Sequence, residues 1–340
     1  MERELNSNIL KGPMQVSIDV TNRCNLRCLH CYNYSGENIY VNNELTDKEL
    51  MKLVDDICEL KPFNVCFCGG ETLLRKDILI HLIKKLKSHE INSTIVSNGI
   101  LLTESVAKEL KECGIGQVQI SLDGIGESHD KLRGMSGAYE KAVQALMNLK
   151  KFKVSSSIAF SPTLWNLNDF SKVVNLALDL NVLEVRLQEL MPIGRASINT
   201  KEIIPSMRDY RKLKGEIITI SRELKKLKKN LKLDWGDPID HLIRFPKYPD
   251  YNYSVGIKAD GKISASMYLP LSVGDIRRHS LIDYWNNGLH NIWTSNIVKK
   301  VAYNCGSVKA MSFDNCDLPT PFLEEDIYID LIDNKQSLFY

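Results

Sequence analysis

No run in the 340 residues approaches the roughly eighteen consecutive apolar side chains that a membrane-spanning helix needs. Residues 1–8 are polar and charged and lack the apolar centre of a secretory signal. A dominant charge is missing too: the formal balance is +2, too small to draw the chain to nucleic acid or to an anionic membrane. The sequence has no solenoid-type repeat and no low-complexity tract. It also has no second C-x2-C pair of the kind that closes a structural zinc site. Its nine cysteines are therefore expected in a reducing cytoplasm rather than in a disulfide scaffold.

What is present starts with length. A chain of this size, 44% hydrophobic and 25% charged, suits a large catalytic domain with a smaller appendage. Its most informative stretch is Thr21-Asn22-Arg23-Cys24-Asn25-Leu26-Arg27-Cys28-Leu29-His30-Cys31-Tyr32. Three cysteines in C-x3-C-x2-C spacing follow a short alternating run (Met14, Val16, Ile18 and Val20 apolar, Ser17 and Asp19 polar) that reads as a strand. A redox dithiol would use only Cys28 and Cys31 and leave Cys24 unexplained. Three thiolates can hold three irons of a [4Fe–4S] cubane, which normally takes four cysteines, and so leave one iron open to a substrate.

Downstream, strand and helix signals alternate. Thr46-Asp47-Lys48-Glu49 is a capping box; Phe63, Val65 and Phe67 alternate before Gly69-Gly70-Glu71; a helix is expected from about 76 to 88. Residues 94–96 then read as a strand ending at Ser97-Asn98, with a helix from 104 to 113 closed by Gly114. Further strands are expected at 118–120, 156–160 and 183–190, with helices at 138–151 and 169–180. Strict alternation implies a parallel sheet with helices outside, and right-handed crossovers curl it into a partial (β/α)6 TIM-like barrel, an α/β fold. Cys24, Cys28, Cys31, Gly69, Gly70, Glu71, Asn98, Ser121, Asp123 and Gln188 all follow the carboxyl ends of strands, where barrel active sites lie.

The cysteine triplet with this rim resembles the radical S-adenosylmethionine (radical SAM) superfamily over residues 14–200, and within it the SPASM/twitch-like, peptide-modifying subgroup. The resemblance implies one [4Fe–4S] cluster on Cys24, Cys28 and Cys31, with S-adenosylmethionine (SAM) on the open iron. It implies that Gly69, Gly70 and Glu71 hold the methionine amino group, although Thr72 stands where the family usually has proline. Ser121, Asp123 and Arg133 match the segment that contacts the ribose and carboxylate of SAM, an arginine's planar fork suiting a carboxylate. Asn98, Gln188 and Leu190 match positions near the ribose and adenine, and His30 one that often carries a ring against adenine. Cys58 and Cys113 read as core residues, and Cys66 and Cys68, on the strand face opposite Phe63, Val65 and Phe67, as buried small apolar groups; alternatively Cys68, next to Gly69, could reach the cavity and donate hydrogen to a substrate radical.

After an N-terminal segment (1–13) and the barrel, residues 201–232 read as a linking helix with Met207, Tyr210, Leu213, Ile217, Leu224 and Leu227 on one face and a basic opposite side. Residues 233–340 resemble a small α+β extension of SPASM or twitch type. It begins with a hairpin at 253–265 whose turn is Asp260-Gly261. Such extensions usually carry cysteine ligands for auxiliary clusters, but Ser266 stands at one of those positions, and only Cys305 and Cys316 lie downstream. A degenerate extension with no auxiliary cluster is therefore expected.

The resemblance implies reductive cleavage of SAM to a 5′-deoxyadenosyl radical and hydrogen abstraction from a ribosomally made peptide, leading to epimerisation, crosslinking or decarboxylation. It also implies an electron donor such as flavodoxin or ferredoxin and leaves room for a separate peptide-recognition protein. Two alternatives stay open: a radical enzyme for a small molecule or tetrapyrrole side chain, suggested by Pro192-Ile193-Gly194-Arg195-Ala196, and a non-catalytic iron–sulfur protein.

Overall fold

The computed structural model describes residues 11–37, 42–199, 202–237, 239–247, 252–305 and 318–334. Strands β1 (Gln15–Asp19), β2 (Asn64–Cys68), β3 (Asn92–Ser97), β4 (Gln117–Ser121), β5 (Ser156–Phe160) and β6 (Glu184–Gln188) pair in that order, all parallel. Between them run α1 (Asp47–Leu60), α2 (Lys76–Ser88), α3 (Glu104–Cys113), α4 (Glu127–Arg133), α5 (Ala138–Lys151) and α6 (Phe170–Asp179). The expected punctuation operates. Thr46 and Glu49 make both halves of the capping box at α1, and α3 stops at Gly114 in the left-handed conformation.

The two faces of this sheet differ. Val16, Ile18, Val65, Phe67, Ile95, Val118, Ile120, Ile158, Phe160, Val185 and Leu187 have almost no exposed surface and form the core under the helices. The alternate positions face the inside of the curl and are largely polar: Ser17, Asp19, Cys66, Cys68, Thr94, Gln119, Ser121, Arg186 and Gln188. A parallel sheet covered on both faces by packing would be apolar on both. A polar inner face marks a lumen built for a ligand.

Two features lie outside the expected pattern. After α7 (Arg195–Asn199), helix α8 (Met207–Lys226) ends short of 232, leaving Met207 and Leu227 exposed at its ends, and Lys232–Gly236 forms β7, parallel to β6. The extension does not stand apart, either. It follows α9 (Asp240–Arg244), and its first strand β8 (Ser254–Ile257) pairs in parallel with β1, so the barrel sheet continues through the hairpin partner β9 (Lys262–Ser264) to β10 (Leu271–Asp275) and β11 (Ile327–Tyr328). The result, among the described residues, is one open 11-stranded sheet. Helices α10 (Leu281–Asn286) and α11 (Asn296–Asn304) cover the extension, α10 packing against α1.

Side chains after β9 lean across the sheet's open seam. Tyr268 Oη accepts from Gln188 Nε2 at 2.6 Å, and Ser266 Oγ lies 2.7 Å from His241 Nε2. Ser266, at the position where SPASM-type extensions carry an auxiliary-cluster cysteine, thus holds the seam through its hydroxyl. Cys305 is buried, and Cys316 lies outside the described residues, as do 1–10 and the tail beyond 334. No described helix is long and apolar enough to cross a membrane.

Candidate active site

The cysteine loop leaves β1 and is gripped from three sides. Glu44 accepts from Thr21 Oγ1 at 2.8 Å and from the Asn22 N–H at 2.7 Å. Behind β2, the Gly70 N–H donates to the Thr21 carbonyl at 2.7 Å and the Glu71 N–H to the Arg23 carbonyl at 2.9 Å. A Cβ on Gly69 would stand 2.2 Å from the Thr21 oxygen, and one on Gly70 2.1 Å from that of Arg23. The two glycines thus seat the cysteine loop itself. Gly70→Ala is expected to displace that loop while sparing the helices, so iron incorporation should collapse with far-ultraviolet circular dichroism unchanged.

The third grip comes from the far end of the barrel. Arg195, buried at the start of α7, donates through Nη1 to the Cys28 carbonyl at 3.1 Å and through Nη2 to the Ser35 carbonyl at 2.8 Å, while pairing with Glu37. Its own N–H reaches the Cys31 carbonyl at 2.9 Å. Gly194, at φ +57°, lies where a Cβ would be 2.0 Å from the Tyr32 carbonyl oxygen. The Pro192–Ala196 string is therefore a clasp for the loop, a role that its sequence alone did not disclose.

All three sulfurs receive hydrogen bonds. The Leu26 N–H reaches Cys24 Sγ at 3.4 Å, the Ser35 N–H reaches Cys31 Sγ at 3.4 Å, and Arg133 Nη1 reaches Cys28 Sγ at 3.7 Å. Burial pushes the Cys28 thiol up to about 11, partly offset by Arg133, with Cys31 and Cys24 near enough to add to the rise. Three soft donors on one loop, within electrostatic reach of one another and supplied with N–H···S contacts, fit a cluster held by three thiolates.

Around them, the other expected residues form two networks. Glu71 has no exposed surface. Its carboxylate accepts from Ser97 Oγ and the Asn98 N–H, both at 2.8 Å, and from the Leu73 N–H. It is turned inward, tying β2 to the end of β3, and burial raises its pKa despite these donors. Asn98 in turn donates to Asn25 Oδ1 at 2.8 Å, inside the cysteine loop.

The second network centres on Asp123, also fully buried. Oδ2 lies 2.5 Å from Arg133 Nη2 and 3.2 Å from His30 Nε2, and Oδ1 accepts from the Ser161 N–H at 2.8 Å. Burial alone would raise the Asp123 pKa; the Arg133 guanidinium and His30 outweigh it and hold the carboxyl well below the usual range. His30 thus faces an acid. The neighbouring His129 accepts from the Asp123 N–H through Nδ1, and burial beside Arg133 lowers it to about 4, so it is neutral at pH 7. Gln188 is bound to Tyr268, Leu190 is buried with its N–H on Tyr210 Oη, and Ser121 faces the lumen.

Below the rim lies Asp19, 3% exposed, with Oδ2 lacking a hydrogen-bond partner. Burial, reinforced by Asp260 and opposed by Lys258, raises its pKa to about 7. Between its unfolded pKa of about 3.9 and this folded value, the native state binds the extra proton. The contribution of Asp19 to stability therefore falls as pH rises from about 4 to about 7. Asp19→Asn should remove that slope: in urea unfolding the variant should match the parent near pH 4 and exceed it at pH 8.

Residues 18–177 match the sequence model described as the radical SAM superfamily. Among named proteins, the chain is 32% identical over 206 residues to the Fe-coproporphyrin III synthase of Methanosarcina barkeri, covering 61% of this chain but only about half (51%) of that protein's length. It is 24% identical over 285 residues to the PqqA peptide cyclase of Granulibacter bethesdensis, covering 82% of this chain and 75% of that one. In fold it is similar to Streptococcus suis SuiB bound to precursor peptide SuiA, with a TM-score of 0.65 at 16% identity over 82% of this chain and 65% of that one. With the three thiols at the mouth of an open parallel barrel, these matches show a radical SAM domain over residues 18–177, and the cofactors of that superfamily are a [4Fe–4S] cluster and SAM.

Proposed function

We propose that this chain cleaves SAM reductively and uses the radical to take hydrogen from a ribosomally made peptide. The observation that carries the reading is the meeting, on one rim above a polar lumen, of three sulfurs that accept hydrogen bonds with the Glu71–Asn98 and Asp123–Arg133–His30 networks. When bound, the cluster and SAM supply a 5′-deoxyadenosyl radical able to take hydrogen from an unactivated carbon. Cys24, Cys28 and Cys31 hold the irons. Gly69, Gly70, Glu71, Asn98, Ser121, Gln188 and Leu190 shape the floor and wall of the SAM site. Arg133 and His30, fixed by Asp123, set the charge beside it, and their rigidity orients the reacting carbon.

The peptide reading is supported by the likeness to the PqqA peptide cyclase across most of both chains, and by the fold shared with a protein whose structure contains a precursor peptide. Likeness to the Fe-coproporphyrin III synthase favours a second reading, a tetrapyrrole side chain. The lumen complements it poorly: among the described inner-face residues of β1–β6, Arg186 is the one cation, and it lies 4.0 Å from the Asp234 carboxylate on β7, whereas a porphyrin's several carboxylates call for several cations. A flavodoxin or ferredoxin supplies the electron, and a separate recognition protein can present the peptide.

The test is anaerobic turnover with SAM and a strong reductant, with either a peptide encoded beside this gene or a coproporphyrin added. Faster release of 5′-deoxyadenosine with the peptide is expected. Stimulation by the porphyrin alone would transfer the assignment to the second reading. No release with any addition would overturn both.

A further inference from the structure

On β2, one face carries two thiols that the cluster does not use. Cys66 and Cys68 alternate with the core residues Val65 and Phe67, so both project into the lumen, and their sulfurs lie 3.3 Å apart. Protein surrounds them, yet each keeps accessible surface, as groups lining an internal cavity do. Cys68 is the upper of the two, directly before Gly69 and the rim; Cys66 is one layer deeper, opposite Thr94 in the sheet register. Across β1, the register partner of Cys68 is Asp19, whose Oδ2 is buried and lacks a hydrogen-bond partner. A hydrogen donor, a second sulfur and a proton acceptor thus stand side by side below the cofactor rim.

We propose that Cys68 and Cys66 act as a dithiol that returns hydrogen to the substrate radical and is oxidised to a disulfide, with Asp19 receiving the second thiol's proton. The inference deepens the proposed function and rests on it for the identity of the radical. The chemistry balances as follows. The Cys68 S–H bond breaks homolytically, and its hydrogen forms the new C–H bond of the product. The Cys68 thiyl radical then joins the Cys66 sulfur as the Cys66 proton passes to Asp19. The disulfide radical anion so formed is a strong one-electron reductant and gives its electron to an oxidised iron–sulfur cluster. In sum, two thiol hydrogens leave as one hydrogen atom and one proton, accompanied by one electron, and one S–S bond remains. An external dithiol restores the pair with two electrons and two protons.

Three features fit this assignment. The proton stays where the donor needs it: the hydrogen bond between the two thiols lowers the Cys66 pKa and, with burial, raises that of Cys68 well above the usual range. Asp19, raised to about 7 by burial, is poised to take a proton near neutrality, with Lys258, Asp260, Tyr32 and the two thiols as the charged or titratable groups facing it. Lastly, residues two apart on a strand have Cα atoms about 6.6 Å apart, near the upper limit of what a disulfide spans. Such a bond is strained and easily re-reduced.

The experiment reads the sulfurs rather than activity. Anaerobic, cluster-loaded full chain is equilibrated across a series of reduced and oxidised glutathione, quenched with iodoacetamide, digested and weighed. Cys66 and Cys68 should leave the alkylated pool together, in a peptide lighter by two hydrogens, while Cys58 in the same peptide stays alkylated. In Cys66→Ser, Cys68 should instead carry a glutathione adduct at the oxidising end. The proposal is overturned if both thiols remain alkylated throughout, or if the wild-type chain gives only a glutathione adduct on one of them. Either result would leave the release of 5′-deoxyadenosine untouched, so failure of the dithiol and failure of SAM cleavage are told apart.

Discussion

Replacing Cys24, Cys28 or Cys31 by alanine is expected to abolish the release of 5′-deoxyadenosine. Iron after anaerobic reconstitution should fall from about four per chain toward background, because a cubane already one protein ligand short does not survive the loss of another. The three variants should differ in stability. Cys24 and Cys31 sit on a loop whose backbone is held independently by Glu44, Gly70 and Arg195, so their removal should cost little in the metal-free chain. Cys28 is buried, and its sulfur is an acceptor for Arg133. Cys28→Ala leaves a guanidinium N–H without that partner and should lower unfolding stability by about 1–3 kcal/mol in urea. About eight irons in the parent would instead reveal a second cubane, against the reading of Ser266 as a seam-holding hydroxyl.

The parts of this architecture written locally were legible in the sequence. The cysteine spacing, the capping box at Thr46, Gly114 after α3 and the alternation in β2 each depend on neighbours a few residues away. They place the three thiols, Gly69 to Glu71, Asn98, Ser121 and Asp123 on one rim. The rest depends on partners distant in sequence. Arg195 meets the Cys28 carbonyl across 167 positions, and nothing near Arg195 announces that a loop carbonyl awaits it. The five residues of β7 follow a basic helical pattern that masks their pairing with β6. The extension carries the motifs of a separate unit, yet β8 docks on β1, because an edge strand with open N–H and C=O groups is best satisfied by another strand. The direction of His30 was likewise invisible, since it is set by Asp123 on β4's following loop and by Arg133 on α4.

That buried network supports the second large effect. Asp123→Ala is expected to destabilise the chain by about 3–5 kcal/mol, because it leaves Arg133 and His30 facing each other in a desolvated site with no counter-charge. The cost should not be additive with loss of the arginine. In Asp123→Ala/Arg133→Met both charges go, and the double variant should recover much of the stability, a coupling that urea unfolding of the four chains measures directly. The acid limb gives an independent check. The Asp123 pKa is held below its unfolded value, so its contribution is complete above about pH 5 and is lost as pH falls through about 4 and below. That part of the limb should be missing from both variants. Iron binding separates structure from chemistry: the double variant should fold but load iron poorly, because Cys28 then lacks the N–H···S donor that Arg133 supplies. A double variant that loads iron like the parent would mean that Arg133 serves the SAM carboxylate alone.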